Sequence, residues 1–272
     1  MKQAIKLYGK IKSNQIILIA LLGILVACFV GGINTYYGRS ITNIGSDEGL
    51  GGLLLAIMLL ASGASVYTDQ TRHLNTWLST QNVSRRQIFL SKLLWMVIGP
   101  ILFSNIIDFG MSLASQTHNL SKVLDSNLDD SLEGLFLVSL VVLVSIILGP
   151  IWPKVIGSIF VLIVSSSIFE LGANYIVFDA TNVIDNKLIT CFGILILLSI
   201  SYYIVGTIGV ESEHEIVRIP VLKWPIVVFV FLSTFVFNIN ENAFNLNSFI
   251  LPVVLGLITF IFVFKPKLSW QK

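Results

Sequence analysis

Eight long apolar runs, separated by short polar connections, constrain this chain of 272 residues more than any motif in it. They cover roughly residues 16–36, 50–67, 90–114, 132–148, 155–178, 188–210, 225–238 and 249–264. Most are long enough to cross a bilayer, which takes about 17–25 apolar residues in a helix. Lipid offers no partner to an exposed peptide group, so each run must satisfy its own backbone as a helix. The seventh run is short and is expected to pair with the eighth as a hairpin. Charge is correspondingly scarce: 12% of residues are Asp, Glu, Lys or Arg, against about 25% in a soluble domain. The expected fold is an all-α polytopic membrane protein with about eight transmembrane helices, in a single domain 1–272.

The connections carry the orientation. Lys2, Lys6, Lys10, Lys12, Arg72, Arg85, Arg86, Lys92, Lys154, Arg218, Lys223, Lys265, Lys267 and Lys272 fall on one side of an eight-span path; Arg39, Lys122 and Lys187 fall on the other. The bias of cationic loops toward the cytoplasm then puts both termini inside. The opposite connections are acidic, notably DSNLDDSLE at 125–133. The N-terminal KQAIKLYGKIK spaces Ile5, Tyr8 and Ile11 by three among lysines, which predicts an amphipathic elbow over 1–14 lying on the inner membrane surface.

Several chemistries are excluded. Cys28 and Cys191 lie inside apolar runs, which argues against disulfides, while His73, His118 and His214 all lie between runs, away from any haem or metal site within the bilayer. LVAC at 25–28 resembles a lipoprotein processing box, but the apolar run continues past Cys28 where a polar linker would be needed. In ESEHEIVR at 211–218, Arg218 stands where a zinc protease needs its second histidine. No phosphate-binding loop with its lysine occurs; GGINTYYGRS at 31–40 has the wrong spacing. No cofactor is expected in this chain, and no nucleic-acid partner.

One stretch is neither oil nor simple connection. TDQTRHLNTWLSTQNVSRRQIFLSK, residues 68–92, is polar and basic, yet Leu74, Trp77 and Leu78 stand at i, i+3, i+4 on one helical face. SRRQ at 84–87 reads as a capping box, with the Ser84 hydroxyl accepting from the N3 amide and Gln87 reaching back. The pattern predicts a short helix, a break near TQNV, and a second helix from Ser84 into the third span. Arg85 and Arg86 would sit in that helix's first turn, where the dipole disfavours cations. The spacing serves either an anchor in anionic headgroups or a ridge for a partner's groove.

LNTWLSTQNVSRRQIFLSKLL, residues 74–94, resembles the cytoplasmic loop of type 2 ABC exporter permeases, and its NTW…SR…SK form is most similar to the bacterial lantibiotic-immunity permeases, exporters of antimicrobial peptides. The resemblance covers about 25 residues and the general order of spans; Asn82 replaces the usual proline, and the family core has six spans, so the last hairpin would be an addition. It implies that 68–89 is a coupling segment seating on a separate ATPase, with Leu74, Trp77, Leu78, Arg85 and Arg86 as coupling residues. The acid that such proteins commonly carry before the loop corresponds to Asp69. It further implies partners: ATPase subunits that bind ATP and magnesium, a second permease chain (identical or a sister protein), the bilayer of a bacterial cell membrane, and a peptide or lipid-like cargo. No enzyme activity is expected of the permease itself.

Other polar residues are candidates on chemistry alone. Asp108 and Glu170 are the acids inside apolar runs, each sharing a helical face with a neighbour at i±4, Ser104 and Asn174 respectively. Intramembrane acids mark polar pathways or helix ends. GPIWPK at 149–154 predicts a turn broken by Pro150 and Pro153, and ASGAS at 61–65 and the pair Gly206/Gly209 suit close helix packing. An ion-coupled carrier or a non-transporting scaffold is the competing reading, although no internal repeat is visible. An intramembrane protease would need facing acids or histidines, and Asp108 and Glu170 lie on separate helices.

Overall fold

The computed structural model describes residues 2–36, 50–72, 74–81, 83–114, 120–175, 183–208, 215–242 and 249–264. Among them the chain is helical almost throughout. The helices are α1 Lys2–Tyr36, α2 Leu50–Thr71, α3 Leu74–Thr80, α4 Arg85–Leu93, α5 Gly99–Ala114, α6 Leu120–Ile147, α7 Ile151–Tyr175, α8 Val183–Thr207, α9 Lys223–Asn242 and α10 Ile250–Phe264. Among the described residues six helical stretches are long and apolar enough to cross a membrane: Lys2–Gly32, Gly52–Thr71, Arg85–Met111, Leu124–Ile147, Lys187–Thr207 and Pro220–Phe237. Two shorter apolar helices, Ile151–Ser165 and Ile250–Phe264, fall within the fifth and eighth apolar runs. Their lipid-type faces are bare, as at Leu25, Leu60, Ile106, Phe192 and Phe262.

The chain divides into two units, Met1–Ser139 with Val183–Gly206, and Leu140–Asn182 with Thr207–Lys272. In the first, α1, α2 and the α4–α5 helix pack around Tyr8, Leu54, Met58, Leu78, Ile88 and Met96. The elbow expected over 1–14 is not a separate element: α1 runs unbroken for 35 residues, about 50 Å at 1.5 Å per residue. No proline or glycine interrupts it between Gly9 and Gly23, and its first half is held by Ala4 and Tyr8 in the core. The Trp95 indole donates to the Ile5 carbonyl at 3.1 Å and lies across Gly9, where an added Cβ would sit 2.9 Å from the ring. Gly9→Ala should therefore displace Trp95 and destabilise the chain by about 1–3 kcal/mol, the usual cost of overpacking; the check is the melting temperature together with the tryptophan emission maximum.

Between α4 and α5 the helix takes one π turn, Leu94–Ile98. Pro100 has no N–H to return to the Met96 carbonyl, and the Gly99 amide reaches back five residues to Leu94. The fourth span also departs from expectation. Its run was placed at 132–148 with an acidic connection before it, whereas α6 begins at Leu120 and takes the acidic stretch into the helix. The reason is periodicity: Asp125 and Asp129 fall one turn apart and both accept from Lys187, at 2.6 and 2.9 Å.

In the second unit, the α6–α7 turn and the segment before α9 are joined by an isolated antiparallel bridge between Leu148 and Val217. The Gly149 amide donates to Ile216 at 3.2 Å and the Arg218 amide to Ile147 at 2.8 Å. Pro150 marks the turn as expected, but Pro153 does not break the chain; it lies in the first turn of α7, where a missing N–H costs nothing. The seventh run is not short, since α9 spans 20 residues; α10, with 15, is the shorter partner. The two form a hairpin zipped by aromatics: Phe235 lies 4.7 Å from Phe249, and Trp224 lies 5.1 Å from Phe264 between ring centres.

Candidate functional site

The polar loop between the second and third spans folds as its sequence suggests. α3 is a two-turn helix, the chain extends at Val83 and Ser84, and α4 starts at Arg85. Both halves of the capping box are present: the Gln87 amide donates to Ser84 Oγ at 3.4 Å, and the Ser84 amide donates to Gln87 Oε1 at 3.3 Å.

What holds this loop is a buried charge cluster. Asp69, in the last turn of α2, is wholly buried and pairs with two lysines from different helices: Lys12 of α1, and Lys92 of α4 at 3.0 Å. The Tyr8 hydroxyl donates to the same carboxylate at 2.9 Å. Two cations on one anion leave an excess positive charge, which neutral acceptors spread. Lys12 donates to Gln15 Oε1 at 2.5 Å and to the Ser65 carbonyl at 3.2 Å. Lys92 donates to Asn75 Oδ1 on α3 at 2.6 Å and stands 5.8 Å from the Tyr8 ring centre. α1, α2, α3 and α4 thus meet in one continuous polar network. Asp69 was visible in the sequence as the single carboxylate of the loop region; Tyr8, Lys12, Asn75 and Lys92 were not identified as its partners.

The network sorts the expected coupling residues. Leu78 is buried in the core with Leu74 packed beside it, whereas Trp77 points away and is 45% exposed. Arg85 and Arg86 are also on the surface. The outward face of the loop is therefore Trp77 with Thr76, Thr80 and Arg85, while the Arg86 side chain turns toward α8 and the leucines are the inward root.

The intramembrane candidates fare differently. Ser104 is buried and turned onto its own helix, donating to the Ile101 carbonyl at 2.9 Å. Asp108 is buried and hydrogen-bonded by Asn127 of α6. One turn away, the Asn105 amide donates to Ser131 Oγ at 2.9 Å. The third span and the first half of α6 are thus joined by two polar pairs that sequence reasoning had not connected. Glu170 and Asn174 lie in α7, but their side chains fall outside the described residues, as does His214. Of the pair Gly206/Gly209, Gly206 faces the Arg86 side chain of α4, and Gly209 lies outside the described residues. Among the described residues no three His, Cys, Asp or Glu side chains are grouped to hold a metal ion. Compared with protein-family models, curated proteins and solved structures, the chain matches none.

Proposed function

We propose that this chain is the membrane-spanning permease subunit of an ATP-driven exporter of the type 2 ABC class, with a separate ATPase engaging the 68–92 loop. The observation that carries the reading is the division of that loop: an inward root clamped by a buried ion network, and an outward face of Trp77 with Arg85 exposed nearby. A helix exposing one large aromatic on a rigid base suits docking into a groove of a partner protein. The clamp would pass a push on α3 directly to α4 and the third span, because Asn75 and Lys92 share a hydrogen bond. In this reading the chain crosses the membrane eight times with both termini in the cytoplasm of a bacterial cell, and pairs with a second permease chain. ATP and magnesium belong to the ATPase, whose closure shifts the permease between two access states. The loop's resemblance to lantibiotic-immunity permeases supports an amphipathic peptide or lipid-like cargo.

The test is co-purification in mild detergent with an ATPase encoded beside this chain, using a Trp77→Asp/Arg85→Glu variant that leaves the buried root intact. Capture by wild type, reduced at least tenfold in the variant, is the expected result. Equal capture by both chains, or none by an intact wild type, would remove the coupling role and leave the loop as a membrane anchor.

A further inference from the structure

Arg86 sits in the first turn of α4, where its own helix dipole opposes it. The structure shows what compensates. Its guanidinium carbon lies 5.2 Å from the ring centre of Tyr202, near the end of α8. One turn further on, Gly206 leaves the space the guanidinium fills: a Cβ there would collide with Nε and Nη2 of Arg86. α8 ends at Thr207, so this is a helix C-terminus, whose dipole favours a cation. Arginine suits the place, since its planar head can stack on an aromatic ring while presenting several N–H donors.

We propose that Arg86 is a releasable latch, holding the start of the third-span helix to the last turn of α8. While it is seated, the 68–92 loop and α8 move together; when it leaves, they move separately. The contrast with Asp69 is what makes this contact the movable one. Asp69 is wholly buried with two lysines, and parting them would strand a charge. Arg86 is exposed, so water can solvate its guanidinium when it leaves the Tyr202 ring. The loop would then have a fixed side toward α1 and α2 and a movable side toward α8. The latch belongs to this chain alone and does not depend on an ATPase binding it.

The test is a distance measurement between spin labels at Ser79→Cys on α3 and Tyr203→Cys on α8, in the full chain reconstituted in lipid with Cys28 and Cys191 replaced by serine. A control pair, Ile17→Cys and Leu60→Cys, reports on α1 and α2. Arg86→Ala and Gly206→Ala should each add a second, longer distance, with the seated population reduced about fivefold, as expected for loss of a surface cation–aromatic contact. Arg86→Lys, which keeps the charge and loses the planar stack, should fall between. Distances unchanged in both alanine variants would overturn the latch. So would broadening of the control pair in Gly206→Ala, which would make Arg86 a static part of the packing. If Arg86→Ala fails to fold, Gly206→Ala decides alone, because the atom it displaces is the end of a flexible side chain.

Discussion

Asp69→Asn should destabilise this protein by about 3–5 kcal/mol, the cost of breaking a buried ion pair from one side. The substitution barely changes volume, so the loss would be electrostatic. Lys12, only 3% exposed, would be left facing neutral acceptors, and Lys92 would lose the carboxylate it pairs with. Thermal unfolding of the detergent-purified chain measures the effect, and a second variant separates the cause. Replacing all three charges, as Lys12→Met/Asp69→Leu/Lys92→Met, should recover most of the stability, because no charge is then stranded. A single Asp69→Asn that melts like wild type would mean that the cluster is not ion-paired in the membrane.

Leu78→Ala and Trp77→Ala should part company just as sharply, although the residues are neighbours. Leu78 is 2% exposed within the core of α1, α2 and α4, and its truncation should cost about 2–5 kcal/mol through lost burial and the cavity left behind. Trp77 is 45% exposed, and its truncation should leave stability within about 0.5 kcal/mol. Melting temperatures of the two variants check this directly. Equal destabilisation would mean that α3 packs through both faces and presents no free ridge.

That pair also shows where sequence reasoning runs out. Spacing at i, i+3, i+4 places Leu74, Trp77 and Leu78 along one side of a helix, but a side spans a wide arc, and only packing decides which part of it is covered. The capping box at Ser84 and Gln87 was legible because both hydrogen bonds close within four residues. The apolar runs were legible because lipid forces helices on them. The Asp69 cluster was not, since Tyr8 lies 61 residues away in sequence, and charges that distant meet only through the tertiary arrangement. The acidic stretch 125–133 was read as connection from its polarity. Its helical period pairs with Lys187 and the third span, and that partner set cannot be seen from one segment alone.

The π turn ahead of Pro100 reaches further than its five residues. It puts one residue more into a turn than an α-helix holds, so everything after it lags by about 100° of rotation. In an uninterrupted helix, the orientations now held by Asn105 and Asp108 would belong to Ser104 and Ile107. Ser131 and Asn127 would then face a different set of side chains, and a carboxylate would turn away from its amide. The Pro100 side chain carries no polar group, yet it acts as the phase setting of the third span. By withholding one hydrogen, it determines which way the only acid of that span points.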